Sequence, residues 1–258
     1  MRAWRPALAA LSGLILVQCA SVDDARRSEV TSFGRFHELH LYLPPGPPQR
    51  LALLLSGDRG WSYHIAAIAR QLATDGTLVA GVDVRDLLAS FSSDPAACVS
   101  PADDLAGLAR ALEQRYAVPP AAPVLIGHSA GATLAFIALA QAPPGTFAGA
   151  VTLSFCADFD LVKPLCHALA VPSTPRSGGV RLQPPAALPA PWIALHGLDD
   201  HECPPADSSS FAAALAGARF VPLAGVSHSY LRRDRWWPQF AAAYRELAGV
   251  GAGSGPLH

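Results

Sequence analysis

One serine, two neighbouring aspartates and one histidine stand in an order that suits acyl-transfer chemistry. Gly127-His128-Ser129-Ala130-Gly131 places the serine between two glycines, straight after the apolar run "PVLI" and ahead of "AGATLAFIALAQA". A G-x-S-x-G between a strand and a helix is the pattern of a nucleophile elbow, where the turn is tight and the serine takes a strained backbone. A serine hydroxyl is a weak nucleophile without a base, and the base needs an orienting acid. Asp199 and Asp200 follow "WIALHG", and His228 follows "FVPLAG". The chain order serine, acid, histidine is the one that elbow enzymes use. Asp200, third after Gly197, is taken as the acid, with Asp199 as the alternative; His228 is taken as the base. The oxyanion of such a reaction is expected to bind two backbone N–H groups, those of Ala130 and of Asp58 in the loop "SGDRGW". No cofactor is required. His196, His201, Glu202 and Cys203 cluster as metal ligands do, but no second cluster at familiar spacing completes a site, and none is assigned.

These residues need strands to carry them. "LALLLSG", "LVAGVDV", "APVLIGHS", "GAVTLSF" and "PWIALHG" are nearly continuous apolar runs, the signature of strands covered on both faces. Helical patterns alternate with them: "SYHIAAIARQLATDG", "SPADDLAGLARALEQRY" with Ser100 as N-cap, "SSSFAAALAGA" and "RWWPQFAAAYRELA". "HELHLYLP" alternates like a half-buried edge strand, and "RFVPLAG" supplies a last strand. The expectation is an α/β domain over 37–248, a mostly parallel sheet with helices on both faces and little or no cap domain. Chemistry in such sheets sits at the carboxyl ends of the strands. The stretch 157–190 is irregular and Pro-rich, a candidate small lid.

The chain has 258 residues, 51% of them hydrophobic, and a formal net charge of −1. That balance gives no reason to expect nucleic acid as a partner. "MRAWR" followed by "PALAALSGLILV" reads as a secretory signal over residues 1–19, too short to span a bilayer. Cys19 after Leu16-Val17-Gln18 also resembles a lipoprotein signal, which would tether the domain to a membrane; a simple cut is the alternative. Residues 20–36 read as a linker and 249–258 as a flexible tail. Beyond Cys19 the cysteines are Cys98, Cys156, Cys166 and Cys203, an even number that suits disulfides in an exported protein. Cys156 with Cys166 is the expected pair, leaving Cys98 with Cys203.

With these motifs in place the chain resembles the α/β-hydrolase superfamily over roughly 37–248. More narrowly, it is similar to the VirJ/AcvB family of bacterial virulence-associated proteins in "SGDRGW", "LVAGVDV", "FCADFDLVKPLC" and the "ECP" after the acid. It departs from that family at Arg59, where glycine is usual, and at His128 and Ala130, where an aromatic commonly flanks the serine. The resemblance implies an α/β-hydrolase fold, export to the bacterial periplasm and hydrolysis of lysyl-phosphatidylglycerol. A substrate that carries ammonium groups calls for carboxylates near Ser129; Asp58, Asp83, Asp158 and Asp160 stand at strand ends and, with Arg59 and His128, are the candidate substrate-binding residues. Arg59 either faces solvent, pairs with Asp58 or Asp83, or recognises a phosphate. Trp61, Tyr63, Trp236 and Trp237 are candidates for an apolar rim at a membrane surface, or else pack helices. The expected partner is an aminoacylated phospholipid or a small ester. A generic exported carboxylesterase, or a binding protein on a hydrolase scaffold linked to secretion and virulence, are the competing readings.

Overall fold

The computed structural model describes residues 28–161 and 163–250; the signal segment, Cys19 and residues 251–258 lie outside that range. The apolar runs become the centre of one eight-stranded sheet. Its strands are β1 (Ser28–Phe33), β2 (Phe36–Tyr42), β3 (Arg50–Leu55), β4 (Thr77–Val82), β5 (Val124–His128), β6 (Gly149–Leu153), β10 (Trp192–Gly197) and β11 (Ala218–Leu223), in spatial order β1-β2-β4-β3-β5-β6-β10-β11. From β4 to β11 neighbouring strands run parallel; β1 and β2 pair antiparallel at one edge.

Among the described residues six α-helices cover the sheet: α1 (Tyr63–Thr74), α2 (Val84–Ser93), α3 (Pro101–Tyr116), α4 (Ala130–Gln141), α5 (Pro205–Ala213) and α6 (Trp237–Leu247). Alternation along each central strand decides which helices it meets. In β3, Leu51, Leu53 and Leu55 join a core with α2, α3, α4 and α5, while Ala52 and Leu54 join a second core with α1 and α6. Burial on both faces is why these strands read as solid apolar runs rather than alternating ones.

Two elements differ from expectation. Residues 28–33, expected within a linker, form β1; its side chains are almost all solvent-facing, so no hydrophobic pattern marks it as a strand. α2 follows β4 directly and is capped by Asp83, whose side chain accepts the Asp86 N–H. Asp83 therefore caps a helix rather than facing substrate.

The Pro-rich stretch holds a small antiparallel sheet, β7 (Asp158–Phe159), β8 (Ser173–Arg176) and β9 (Gly179–Leu182), in order β7-β9-β8. Phe159, Val171 and Leu182 plug it into the α2–α5 core. The disulfides also differ from the expected pairing. Cys98 bonds Cys166 and Cys156 bonds Cys203, with Cα separations of 4.9 and 5.3 Å. The reason is the path of the chain. Cys156 sits just past β6, beside the loop that carries Asp200. By Cys166 the chain has crossed to the α2–α3 connection, where Val99 N–H donates to Pro164 O and Cys166 N–H to Val99 O. The first bridge closes a separation of 68 residues. Cys98→Ala with Cys166→Ala is expected to lower the unfolding free energy by about 2–4 kcal/mol, read as a lower urea midpoint that reductant does not lower by that amount again.

Candidate active site

The elbow is built by exclusion of side chains. Ser129 has φ 55° and ψ −122°, a backbone region that costs energy for any residue with a Cβ. A Cβ on Gly127 would lie 2.1 Å from Gly131 O, and one on Gly131 would lie 2.2 Å from Ser56 O. Both glycines are thus required by the close approach of β5, α4 and the end of β3 rather than by flexibility. The Ser129 N–H is held by Leu153 O at 2.9 Å, which ties the elbow to β6.

The structure brings Ser129, His228 and Asp200 into one hydrogen-bonded chain. Ser129 Oγ lies 2.9 Å from His228 Nε2, and His228 Nδ1 lies 2.9 Å from Asp200 Oδ2. The carboxylate can only accept, so Nδ1 carries a proton and Nε2 of the neutral ring faces the serine hydroxyl. Asp199, the alternative acid, is exposed in the same loop.

Asp200 is buried and is held by hydrogen-bond donors rather than by a lysine or arginine. Glu202 N–H and Cys203 N–H donate to Oδ1, each at 2.9 Å. Oδ2 takes Ser154 Oγ–H at 2.5 Å and lies 3.3 Å from His196 Nε2, in addition to its bond with His228. Burial opposes ionisation of this carboxyl, but the hydrogen bonds from His196, His228, Ser154 and Cys203 outweigh it and hold the carboxyl far below the usual range. Burial likewise lowers the affinity of His228 for a proton, but its bond to Asp200 and the charges of Asp200, Glu202 and Asp58 raise it above the ordinary 6.5. His128 is pushed the other way, mainly by burial. It stays neutral, donates from Nε2 to His228 O at 2.8 Å, and packs its ring 5.3 Å from that of His228.

Sequence reasoning missed Ser154 and Tyr230 and weighed Glu202 only as a metal ligand. Ser154 and Tyr230 both have positive φ, 56° and 52°. Tyr230 OH lies 3.3 Å from Ser154 Oγ and donates to Leu195 O at 3.0 Å, backing the buried network around Asp200. Neither has a motif to announce it, although "LSF" after an apolar run and "SHSY" around the base mark both positions as strand ends. Glu202 Oε2 lies 3.6 Å from His228 Nε2.

The loop "SGDRGW" stands over the elbow. A Cβ on Gly57 would touch His128 Nδ1 at 3.4 Å and Ser129 Cβ at 3.6 Å. Ser56 Oγ accepts the Val84 N–H, and buried Asp83 accepts the Trp61 N–H at 2.7 Å, so the loop is pinned at both ends to the β4–α2 junction. Trp61 lies against Gly81, where any Cβ would strike its ring, and stacks on His40. Ala130 opens α4, so its N–H has no acceptor within the helix; Asp58, in the loop over the elbow, lines the same cavity as Ser129.

A cavity of about 250 Å³ is lined by Asp58, Arg59, His64, Ser129, Glu202 and His228 among others. Of the candidate substrate residues, Asp58, Arg59 and His128 line it. Asp83, Asp158 and Asp160 do not. Asp83 is spent on backbone N–H groups, Asp158 pairs with Arg181 and Arg176, and Asp160 pairs with Arg176. Arg59 is exposed at the cavity and pairs with neither Asp58 nor Asp83. Trp236 and Trp237 are buried against Phe240, whereas Tyr63 is 76% exposed. Asp200, Cys203 and His228 group closely, yet the Cys203 sulfur is bonded to Cys156 and offers no thiolate to a metal.

Residues 49–153 match the model of a family described as bacterial virulence protein (VirJ). The match spans β3 to β6 and so includes both "SGDRGW" and the elbow. Over this stretch the chain is similar to the VirJ family, and it has the α/β-hydrolase fold. Its fold is shared with an esterase from the Planctomycetes species Thermogutta terrifontis (Est2, butyrate bound), at 18% identity and a TM-score of 0.58 over 89% of this chain and 96% of that one. TT1662 from Thermus thermophilus aligns at 19% identity and 0.57 over 86% and 98%. Est1E from Butyrivibrio proteoclasticus aligns at 15% and 0.56 over 86% and 99%. No curated protein matches the sequence. The loops that carry Asp200 and His228 lie beyond the matched residues, and the hydrogen-bonded chain is what connects them to the elbow.

Three outcomes follow for an ester substrate. Ser154→Ala removes one donor from Asp200 Oδ2 and is expected to lower kcat/KM about tenfold, with most of the loss in kcat. His228 accepts the serine proton only when neutral, and its proton affinity is raised, so the acid limb of the kcat/KM profile is expected above pH 6.5. Glu202→Gln removes a charge that favours the imidazolium and is expected to move that limb to lower pH.

Proposed function

We propose that this chain is an exported serine ester hydrolase that works through an acyl-enzyme, and that its substrate is an aminoacyl ester of an anionic phospholipid, lysyl-phosphatidylglycerol. The observation that carries the reaction type is the chain from Ser129 through His228 to a carboxylate held ionised by hydrogen bonds. His228 Nε2 takes the hydroxyl proton as Ser129 Oγ attacks the ester carbonyl. Asp200 orients the ring and stabilises its charged form. The Ala130 and Asp58 N–H groups receive the oxyanion, and a donor in such a position is worth about 10²–10³ in turnover. The imidazolium then protonates the departing alcohol. Water, activated by the same nitrogen, releases the acid.

Four features support the substrate. The family similarity points to it. The cavity carries the carboxylates of Asp58 and Glu202 beside Ser129, suited to ammonium groups, and the guanidinium of Arg59, suited to a lipid phosphate. Its size, about 250 Å³, suits an aminoacyl head group with the acyl tails left outside. Exposed Tyr63, next to cavity-lining His64, supplies an apolar edge for that surface. The N-terminal segment supports export. Among the described residues no helix is long and apolar enough to cross a membrane.

A second reading, a carboxylesterase for small esters, is favoured by the same small cavity and by the butyrate- and propionate-bound structures of the Thermogutta esterase. A fluorophosphonate probe is expected to label the protein and not Ser129→Ala; absence of labelling would overturn the hydrolase reading in favour of a binding protein. Release of lysine from lysyl-phosphatidylglycerol, with no release of fatty acid from unmodified phosphatidylglycerol, distinguishes the first reading. Rapid cleavage of a short-chain nitrophenyl ester with none of the lysyl lipid selects the second.

A further inference from the structure

We infer that Glu202 is the recognition residue for an ammonium group adjacent to the scissile carbonyl, and that it makes the site select aminoacyl esters over plain acyl esters. The inference rests on the ester-hydrolase reading and assigns it a specificity-determining residue.

The position of Glu202 is the first argument. Its Oε2 is 3.6 Å from His228 Nε2, and that same nitrogen is 2.9 Å from Ser129 Oγ. The carboxylate and the nucleophile therefore flank one atom, on the cavity side of the base. In an α-amino ester the α-nitrogen lies about 2.5 Å from the carbonyl carbon. A carbonyl seated for attack, roughly 3 Å from Ser129 Oγ, puts that nitrogen in the neighbourhood of Glu202.

The second argument is elimination by charge. Asp83 is consumed by backbone N–H groups and by the loop it pins. Asp158, Asp160 and Asp207 are taken by Arg176 and Arg181. Glu202 has no arginine or lysine partner among the described residues; its charged neighbour is the titratable His228. Asp58 also lines the cavity, but it belongs to the loop on the oxyanion side. The groups that face His228 are thus Asp200 behind it, neutral His128 against its ring, and Glu202 and Asp58 toward the cavity.

The third is rigidity. The Glu202 N–H is bound to Asp200 Oδ1, and the next residue is bridged to Cys156. The backbone is fixed while the side chain, 59% exposed, keeps freedom to move from the imidazole to an incoming cation. Glu202 also forms the wall shared with a second cavity of about 240 Å³, lined by Cys156, Asp158, Arg176 and Asp207, so space lies on both sides of it.

The test compares alanyl and propionyl esters of glycerol, which differ only in the α-ammonium group. Both are assayed at one pH of about 6.5, below the ordinary α-amino pKa of about 7.7. In kcat/KM the base of the free enzyme titrates equally for both esters, and their intrinsic reactivities cancel between variants, so the change in the alanyl-to-propionyl ratio on substitution reports the interaction with the ammonium group. The wild-type ratio is expected to exceed one. Glu202→Gln is expected to lower it about tenfold, and Glu202→Asp to retain part of it. A wild-type ratio of one, or a ratio that Glu202→Gln leaves unmoved while the propionyl ester is still turned over, overturns the inference and leaves the hydrolase reading standing. Failure of the wild type to turn over either ester or to react with a fluorophosphonate overturns both.

Discussion

A buried carboxylate without a lysine or arginine beside it is the constraint on which the site depends. Asp200 is desolvated, and an unpaired buried charge is costly unless hydrogen bonds replace the lost water. The donors come from four places: the end of β6, the loop after β10, the buried His196 within β10 and the His228 loop after β11. Four residues other than glycine have positive φ among the described residues. Ala117 ends α3; the others are Ser129, Ser154 and Tyr230. Local strain is concentrated where it lets side chains converge on Asp200, His228 and Ser129. The Cys156–Cys203 bridge joins two of the contributing segments covalently.

The opposite wall of the site is set by a different economy. "SGDRGW" carries charges at the end of a buried strand, yet its conformation depends on Ser56, the two glycines and Trp61. Ser56 and Trp61 are pinned to the β4–α2 junction by the Val84 N–H and the Asp83 carboxylate, and Gly81 leaves the space that the indole fills. Asp58 and Arg59 are then free to face the cavity. The family similarity in both "SGDRGW" and "LVAGVDV" has a physical basis, since these segments form one interlocked unit.

Electrostatics give the base its character. His228 has a permanent anion behind Nδ1 and two exposed carboxylates toward the cavity. Such a field favours the imidazolium that forms during attack, and at low pH it also keeps the base protonated. A cation bound at the cavity carboxylates would offset part of that field. Substrate charge and base strength are thereby coupled in a way that a neutral ester cannot exploit.

The sequence by itself determined the α/β class, the central strands and the chain order of Ser129, Asp200 and His228. These are local facts: burial on both faces leaves continuous apolar runs, a tight elbow needs glycine at Gly127 and Gly131, and strand ends mark where loops begin. Choosing Asp200 over Asp199 rested on one position in a short turn, and the structure places Asp200 inward with Asp199 exposed. β1 was illegible because its residues face solvent, and α2 because it starts without a break after β4. Tertiary structure alone decided the disulfide partners, because the crossing of 157–166 to Val99 leaves no local trace. It decided that Asp83, Asp158 and Asp160 serve backbone and arginines, since composition at a strand end does not tell where a side chain points. It also supplied Ser154, Tyr230 and Glu202, whose roles arise from distances between segments remote in the chain.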